Sequence, residues 1–361
     1  MDPVFVETLE NALNVGADVL SIDTTRGKRG WRLYRHITYA VLAVRALLKQ
    51  RRYRYTVFWQ LFTGLYFTPL ARLTLPKGGD SLRIALHLIY KPRPGRLGRL
   101  YRELFAALLD TPDIDAFICH TSREAELYVA EFGAHLRKKL RYVEYGVGRS
   151  TNVTAGRFDA SAAPVFFAGG TSNRDYATLV EAFRGRAEQL RIFCFERDVA
   201  ALDLPDNVTV VSGVFDDAFA AAMRATDGVI VTLDNPSIAS GHLVLLEAMR
   251  QGKPIIATRG SCTSDLLDDS CAVRVDPHST KAVREALDEL RDDVSWAQAM
   301  ALNGRRRFES HFTVERYGER IAEQLIALRA EKTSRHQDHR TAFLTGTANG
   351  SSPHAHDTGG N

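Results

Sequence analysis

Ser240-Gly241-His242-Leu243-Val244-Leu245-Leu246-Glu247-Ala248-Met249-Arg250-Gln251-Gly252-Lys253-Pro254-Ile255-Ile256-Ala257-Thr258 is, in succession, a polar glycine-containing turn, a helix and a buried strand. The turn opens the helix, so unpaired backbone N–H groups and the positive end of the helix dipole face outward, an arrangement suited to phosphate. Glu247 stands inside an otherwise apolar helix between Leu246 and Ala248. Glutamate is rarely buried without a partner. It therefore lies on a polar stripe facing solvent or accepts hydrogen bonds from the hydroxyls of a ligand.

Upstream, Val165-Phe166-Phe167-Ala168-Gly169-Gly170-Thr171-Ser172-Asn173-Arg174-Asp175 has the same grammar: a buried strand, two glycines, a polar turn and the start of a helix. Gly169 and Gly170 let backbone approach a ligand closely, Asn173 belongs to the polar turn, and Arg174 supplies a fixed fork of donors at the mouth of the helix. A Gly-Gly turn of this kind is also a common tight connection. The second such turn in the same half of the chain is what favours a ligand.

Reading outward, strands alternate with helices of 10 to 15 residues, which argues for βαβ units and parallel sheets. Asp2 and Pro3 open a helix. A strand-like run, Asp18 to Ile22, follows, then an amphipathic segment from Trp31 to Gln50 and strands at Tyr55 to Trp59, Leu82 to Ile89, Ala116 to Cys119 and Arg141 to Val147. A helix is expected at Leu97 to Leu109, and Ser122 is expected to cap another that runs through about Phe132. No strand precedes the helix at Pro3, although a lobe of this kind ordinarily opens with one. The expectation is α/β: two Rossmann-like lobes with parallel sheets. The first occupies 1–148 and a small, polar linker 149–163. The second occupies 164–330, closed by helices from Ser279 to about Arg329, and a disordered tail poor in large apolar residues occupies 331–361.

The run from Gly169 to Phe183 and, more strongly, Leu-Leu-Glu-Ala-Met and Gly-Lys-Pro-Ile-Ile-Ala-Thr within Ser240 to Thr258 resemble the retaining glycosyltransferases of the GT-B fold, called glycosyltransferase group 1 or family 4. The resemblance extends in weaker form over about residues 80 to 330, and implies that the lobe at 1–148 is the acceptor side and the lobe at 164–330 the donor side. It implies that Glu247 bonds the donor ribose, that Arg174 contacts the diphosphate, and that backbone amides near Gly241, His242 and Leu243 meet the distal phosphate or sugar, with Ser240 close by. It also gives His87, at the end of a strand in the first lobe, a role at the sugar or the acceptor. Read alone, a strand histidine is more often a satisfied core residue. Three positions depart from the family pattern: Ala239 replaces a glutamate usual near the transferred sugar, Ala-Ser-Gly-His replaces Glu-Gly-Phe-Gly, and Thr171 follows Gly170 where arginine is common.

Composition narrows the alternatives. The chain has 361 residues, 45% of them apolar, enough for two cores. Its net charge of +4 divides unevenly: residues 1–150 hold 24 Lys+Arg against 14 Asp+Glu, the remainder 23 against 29. The first part thus carries +10 and the second −6, which suits a negatively charged substrate or an anionic membrane surface. Arg45, Lys49, Arg51, Arg52 and Arg54 lie on and after the amphipathic segment, whose apolar residues give it a means of docking on anionic lipid. No nucleic-acid module is evident. Four scattered cysteines fit a reducing cytoplasm, and no apolar stretch is long enough for a membrane span. Cytoplasmic residence, at most peripheral to the inner face of a membrane, follows. The tail histidines have no paired metal-ligand spacing and His87 has no second ligand nearby, so neither metal nor other cofactor is expected.

These readings imply transfer of a hexose-type sugar from a nucleotide-diphosphate sugar to a glycan, lipid-linked or small hydroxyl acceptor, with retention of configuration. Rivals on the same fold are an epimerase, a phosphorylase and a non-catalytic sugar-nucleotide-binding subunit. Hydride transfer is disfavoured, since no Gly-x-Gly-x-x-Gly follows a strand with an acidic partner beyond it.

Overall fold

A computed structural model of the chain describes residues 2–22, 31–74, 81–88, 90, 92–149, 158, 163–214 and 216–348. The linker read at 149–163 lies mostly outside these residues.

The first lobe comprises α1 (Pro3–Leu13), α2 (Trp31–Lys49), β1 (Tyr55–Phe58), α3 (Leu61–Thr74), β2 (Leu82–Ala85), α4 (Gly95–Leu109), β3 (Ala116–Cys119), α5 (Ser122–Phe132) and β4 (Leu140–Tyr142). Its four strands are all parallel, in the order β1-β2-β3-β4. α1 begins as its sequence dictates: the Asp2 carboxylate accepts from Val4 N at 2.9 Å and proline occupies the first turn. Asp18 to Ile22, read as a strand, is unpaired chain, and the sheet starts at β1. α3 gave no stripe to read because its residues are apolar on most sides and Pro69 lies inside it. β2 stops at Ala85, shorter than the run to Ile89, because His87 turns the chain with φ of +56°.

The second lobe comprises β5 (Val165–Gly169), α6 (Tyr176–Phe183), β6 (Gln189–Phe193), β7 (Val208–Val211), α7 (Asp216–Arg224), β8 (Gly228–Val231), α8 (His242–Arg250), β9 (Ile255–Thr258), α9 (Ser261–Leu266), β10 (Val273–Val275), α10 (Thr280–Asp292) and α11 (Val294–His311). All its strands are parallel in the order β10-β9-β8-β5-β6-β7. From β5 the chain proceeds to β6 on one side, and from β8 to β9 on the other. The order therefore reverses between β5 and β8, and an open α/β sheet has its ligand crevice outside the carboxyl ends of such a pair. Both glycine-containing turns singled out in the sequence emerge there.

The last helix, α12 (Val314–Ala348), returns to the first lobe. Its Tyr317, Ile321, Leu325 and Leu328 are buried with Phe5 of α1 against Leu82, Ile84, Ala116 and Ile118. This corrects two boundaries. Residues 314–330 pack with the first lobe although they follow the second, and the helix continues to Ala348, past the predicted start of the tail at 331. Residues 331–348 contain no proline to break the helix. The chain crosses between lobes twice, and the crossings are laced together: Val147 N donates to Phe312 O and Val314 N to Val147 O, each at 3.0 Å. Gly146 permits this approach, since a Cβ there would meet Thr313 O at 2.2 Å.

Candidate functional site

The loops after β5 and β8 are bound to each other. Arg174 pairs with Leu233 in an isolated antiparallel bridge. The Asn173 amide donates to Asn235 O and accepts from Asn235 N, both at 2.8 Å. Asn173, read as part of a ligand turn, is thus a clamp between loops.

Arg174 lies at the centre. Its Nε donates to Gly169 O at 2.9 Å, and its Nη1 to Ser172 O at 2.8 Å and to Ser240 Oγ at 3.0 Å. The Ser240 hydroxyl donates onward to Ser172 O at 2.9 Å. The guanidinium fills the space beside two glycines with positive φ: a Cβ on Gly170 would meet Arg174 Nη2 at 2.6 Å, and one on Gly241 would lie 3.9 Å from it. Gly170 is therefore required by the arginine. Gly169 has another reason to be small, because its Cβ would meet Phe219 at 2.5 Å, beneath which Phe167 stacks on Phe193.

The two helix mouths differ. α6 starts at Tyr176, after Arg174, and Asp175 caps it by accepting from Thr178 N at 3.0 Å. Asp175 is buried, and its other oxygen lies 2.9 Å from His278 Nδ1. A carboxylate already answers one amide of this helix end, which leaves the α8 mouth as the one of the two without a side-chain cap. α8 starts after Gly241, at φ of +95°, with no side-chain cap. Its first-turn amides and dipole face the cleft beside Arg174, and Leu243 is 63% exposed there.

Glu247 does not point into bulk solvent; its side chain is 13% exposed. One carboxylate oxygen is bonded to Arg250 and the other to Gln251. Arg250 in turn donates to Gly148 O at 2.9 Å, where the chain leaves the first lobe. A carboxylate has about four lone-pair sites, so two occupied ones leave capacity for ligand hydroxyls.

Across the cleft, His87 and His120 follow β2 and β3, and His242 opens α8. His120 Nδ1 lies 3.1 Å from Val143 O, and a carbonyl only accepts, so that nitrogen carries the proton. His120 Nε2 is then an acceptor, and His87 Nδ1, 3.1 Å away, donates to it. His87 Nε2 is left as a lone pair, buried and without a hydrogen-bond partner. The His242 ring bonds the backbone of His120, and its Nε2 is likewise buried and unpartnered. Burial lowers His87 to about 3, with the neighbouring His120 ring adding to the effect. Burial also lowers His120 and His242 to about 4. All three are neutral near pH 7. His120 was not singled out from sequence, though it ends its strand as His87 does. A further contact between lobes joins Asp265 of α9 to Ser122, whose N and Oγ donate at 2.8 Å each.

Arg174 lies beside the α8 mouth, and His242, the first residue of α8, is bonded to His120, which neighbours His87; a cation and amides thus stand next to buried neutral ring acceptors. That pattern suits a molecule with an anionic part and a hydroxylated part. Residues 188–307 match the family model described as glycosyl transferases group 1. The matched stretch contains the α8 region and excludes the turn at Gly169 to Asn173. No curated protein matches the chain.

Solved structures match along most of its length. Anabaena HepE in complex with UDP and glucose is 15% identical, covering 88% of each chain with a TM-score of 0.62. Sucrose-phosphate synthase from Thermosynechococcus elongatus is 17% identical, covering 87% of this chain and 86% of the other, at 0.63. WaaG, a glycosyltransferase involved in lipopolysaccharide biosynthesis, is 16% identical, covering 89% and 94%, at 0.57. At such identities the likeness establishes the fold, the two-lobed GT-B arrangement of parallel sheets. Among the described residues no group of three or more His, Cys, Asp or Glu side chains is placed to hold a metal ion. No described helix is long and apolar enough to cross a membrane.

Proposed function

We propose that this chain is a glycosyltransferase that moves a sugar, of hexose type, from a nucleotide-diphosphate sugar to a hydroxyl of a glycan, lipid-linked or small acceptor, with retention of configuration. The observation that carries the reading is the uncapped α8 mouth beside Arg174, opened by His242, whose Nε2 is buried without a hydrogen-bond partner as that of His87 is. The group 1 match over 188–307 and the UDP and glucose held by the HepE structure support it.

Cleaving the bond between sugar and diphosphate develops negative charge on the leaving group and positive charge on the sugar ring. In this reading the α8 amides and Arg174 stabilise the former, and the His87 and His242 acceptors orient sugar hydroxyls. Glu247 takes the ribose hydroxyls with its remaining lone pairs. Attack on the face from which the leaving group departs needs no dedicated carboxylate base. Neutralisation is assigned to the protein's own cation and helix dipole, so no metal or other cofactor is invoked. The cytoplasm is the compartment that fits a nucleotide-sugar donor.

Ala239, standing where the family usually has a glutamate, favours a second reading as a non-catalytic sugar-nucleotide-binding subunit. Thermal shift against UDP, GDP and ADP, followed by turnover of the corresponding nucleotide sugars, separates the two. One nucleotide is expected to raise the melting temperature, and Glu247→Ala to abolish that shift. Binding without turnover selects the subunit, whereas absence of any shift removes both readings.

A further inference from the structure

We infer that the outer helical layer of the first lobe is a docking surface for an anionic lipid bilayer. The inference does not depend on the donor chemistry. α4 exposes Leu97, Leu100 and Leu104 at 81%, 52% and 61%, one stripe at helical spacing turned away from the core that Phe105, Leu108 and Leu109 enter. Arg93, Arg96 and Arg99 are exposed around that stripe, and the first turn of α4 has no acidic residue. Cations at the positive end of a helix oppose its dipole, so this placement works against folding and is relieved by an anionic surface.

α2 repeats the pattern. Tyr34, Ile37, Val41, Val44 and Leu48 recur every three or four residues and are exposed, Leu48 to 78%. Arg51, Arg52 and Arg54, exposed in turn, follow the helix. The inward faces of both helices enter the same core on one side of the first sheet, so their outward faces belong to one layer. The second lobe exposes large apolar side chains only singly among the described residues, as at Leu204, Trp296 and Leu302. Apolar stripes interleaved with arginine, on the part of the chain that carries +10, match headgroup phosphates above acyl chains. An apolar protein groove would leave the arginines without partners. Since α4 follows the turn after His87, a docked layer holds the cleft at the bilayer, where a lipid-linked hydroxyl is delivered.

The test is sedimentation of the full chain with vesicles of phosphatidylcholine alone or mixed with phosphatidylglycerol. The wild type is expected to bind the mixed vesicles, less at high salt, and to leave the neutral ones. The variant L97S/L100S/L104S and the variant R93Q/R96Q/R99Q should each weaken binding by about tenfold or more. The leucine variant's melting temperature should match the wild type, since its side chains are exposed, and the arginine variant's should equal or exceed it, since cations are removed from the positive end of α4. Wild type that binds neither vesicle, or variants that bind as well as wild type, overturn the inference. Self-association lost in the leucine variant, without vesicle binding, overturns it in favour of a second copy of this chain.

Discussion

Acidification from pH 7 to pH 5 tests the histidine chain at the cleft. In the folded protein His87, His120 and His242 protonate only near 3, 4 and 4, whereas unfolded histidine protonates near 6.5. Lowered folded values mean stability that is fully present above 6.5 and is lost as pH falls toward 4. Over this interval each histidine removes a little under ~2 kcal/mol, so the three remove about 5 kcal/mol together. Glu124 of α5 works the other way: burial raises it to about 7, so the folded protein takes up its proton before the unfolded chain does. That returns about 2 kcal/mol over the same range, leaving a net loss of about 3 kcal/mol, a large share of the 5–15 kcal/mol typical of a domain. Urea titrations at pH 7 and pH 5 measure it. Glu124→Gln should enlarge the loss to about 5 kcal/mol, and His120→Phe should shrink it by about 2 kcal/mol. If NMR finds the three rings titrating near 6.5, or the pH 5 loss is the same in His120→Phe as in wild type, the buried neutral chain does not exist.

Gly170→Ala places a side chain at φ of +114° against the Arg174 guanidinium, and should destabilise by about 1–3 kcal/mol in urea while weakening nucleotide binding. Arg174→Lys removes the fork that holds Gly169, Ser172 and Ser240, and should lower kcat/KM by about a hundredfold with less effect on folding. Asp265→Ala deletes two exposed hydrogen bonds between lobes, so stability should change by under about 1 kcal/mol, while small-angle scattering reports a wider particle and KM rises.

The alternation of strands and helices was legible because parallel strands buried on both faces read as short apolar runs; Ala116–Cys119 matched residue for residue, and the helix after it differed only in its cap, Thr121 in place of Ser122. α3 escaped because an apolar helix with an internal proline has neither stripe nor clean boundary. The path of α12 escaped because amphipathic spacing says which face is buried, not which lobe buries it. At the site, the turn before α8 was legible as a helix mouth. Asn173-Arg174-Asp175 was not, since Asn173 and Asp175 both suit a helix cap and only the fold, with Asp175 against His278, selects Asp175. Arg250 and Gln251, three and four residues beyond Glu247, were readable partners from helical spacing. The pairing of His87 with His120 needed the register that sets Ala85 beside Phe117.

The lacing of Val147 to Phe312 and Val314 has a mechanical consequence. Two covalent strands crossing at one spot behave like the pin of a door: the halves swing about a line through it, while sliding and free swivelling are barred. Helices α1 and α12 swing with the half they cover. Cutting at 163 therefore yields two damaged fragments, one stripped of a wall and the other dragging it.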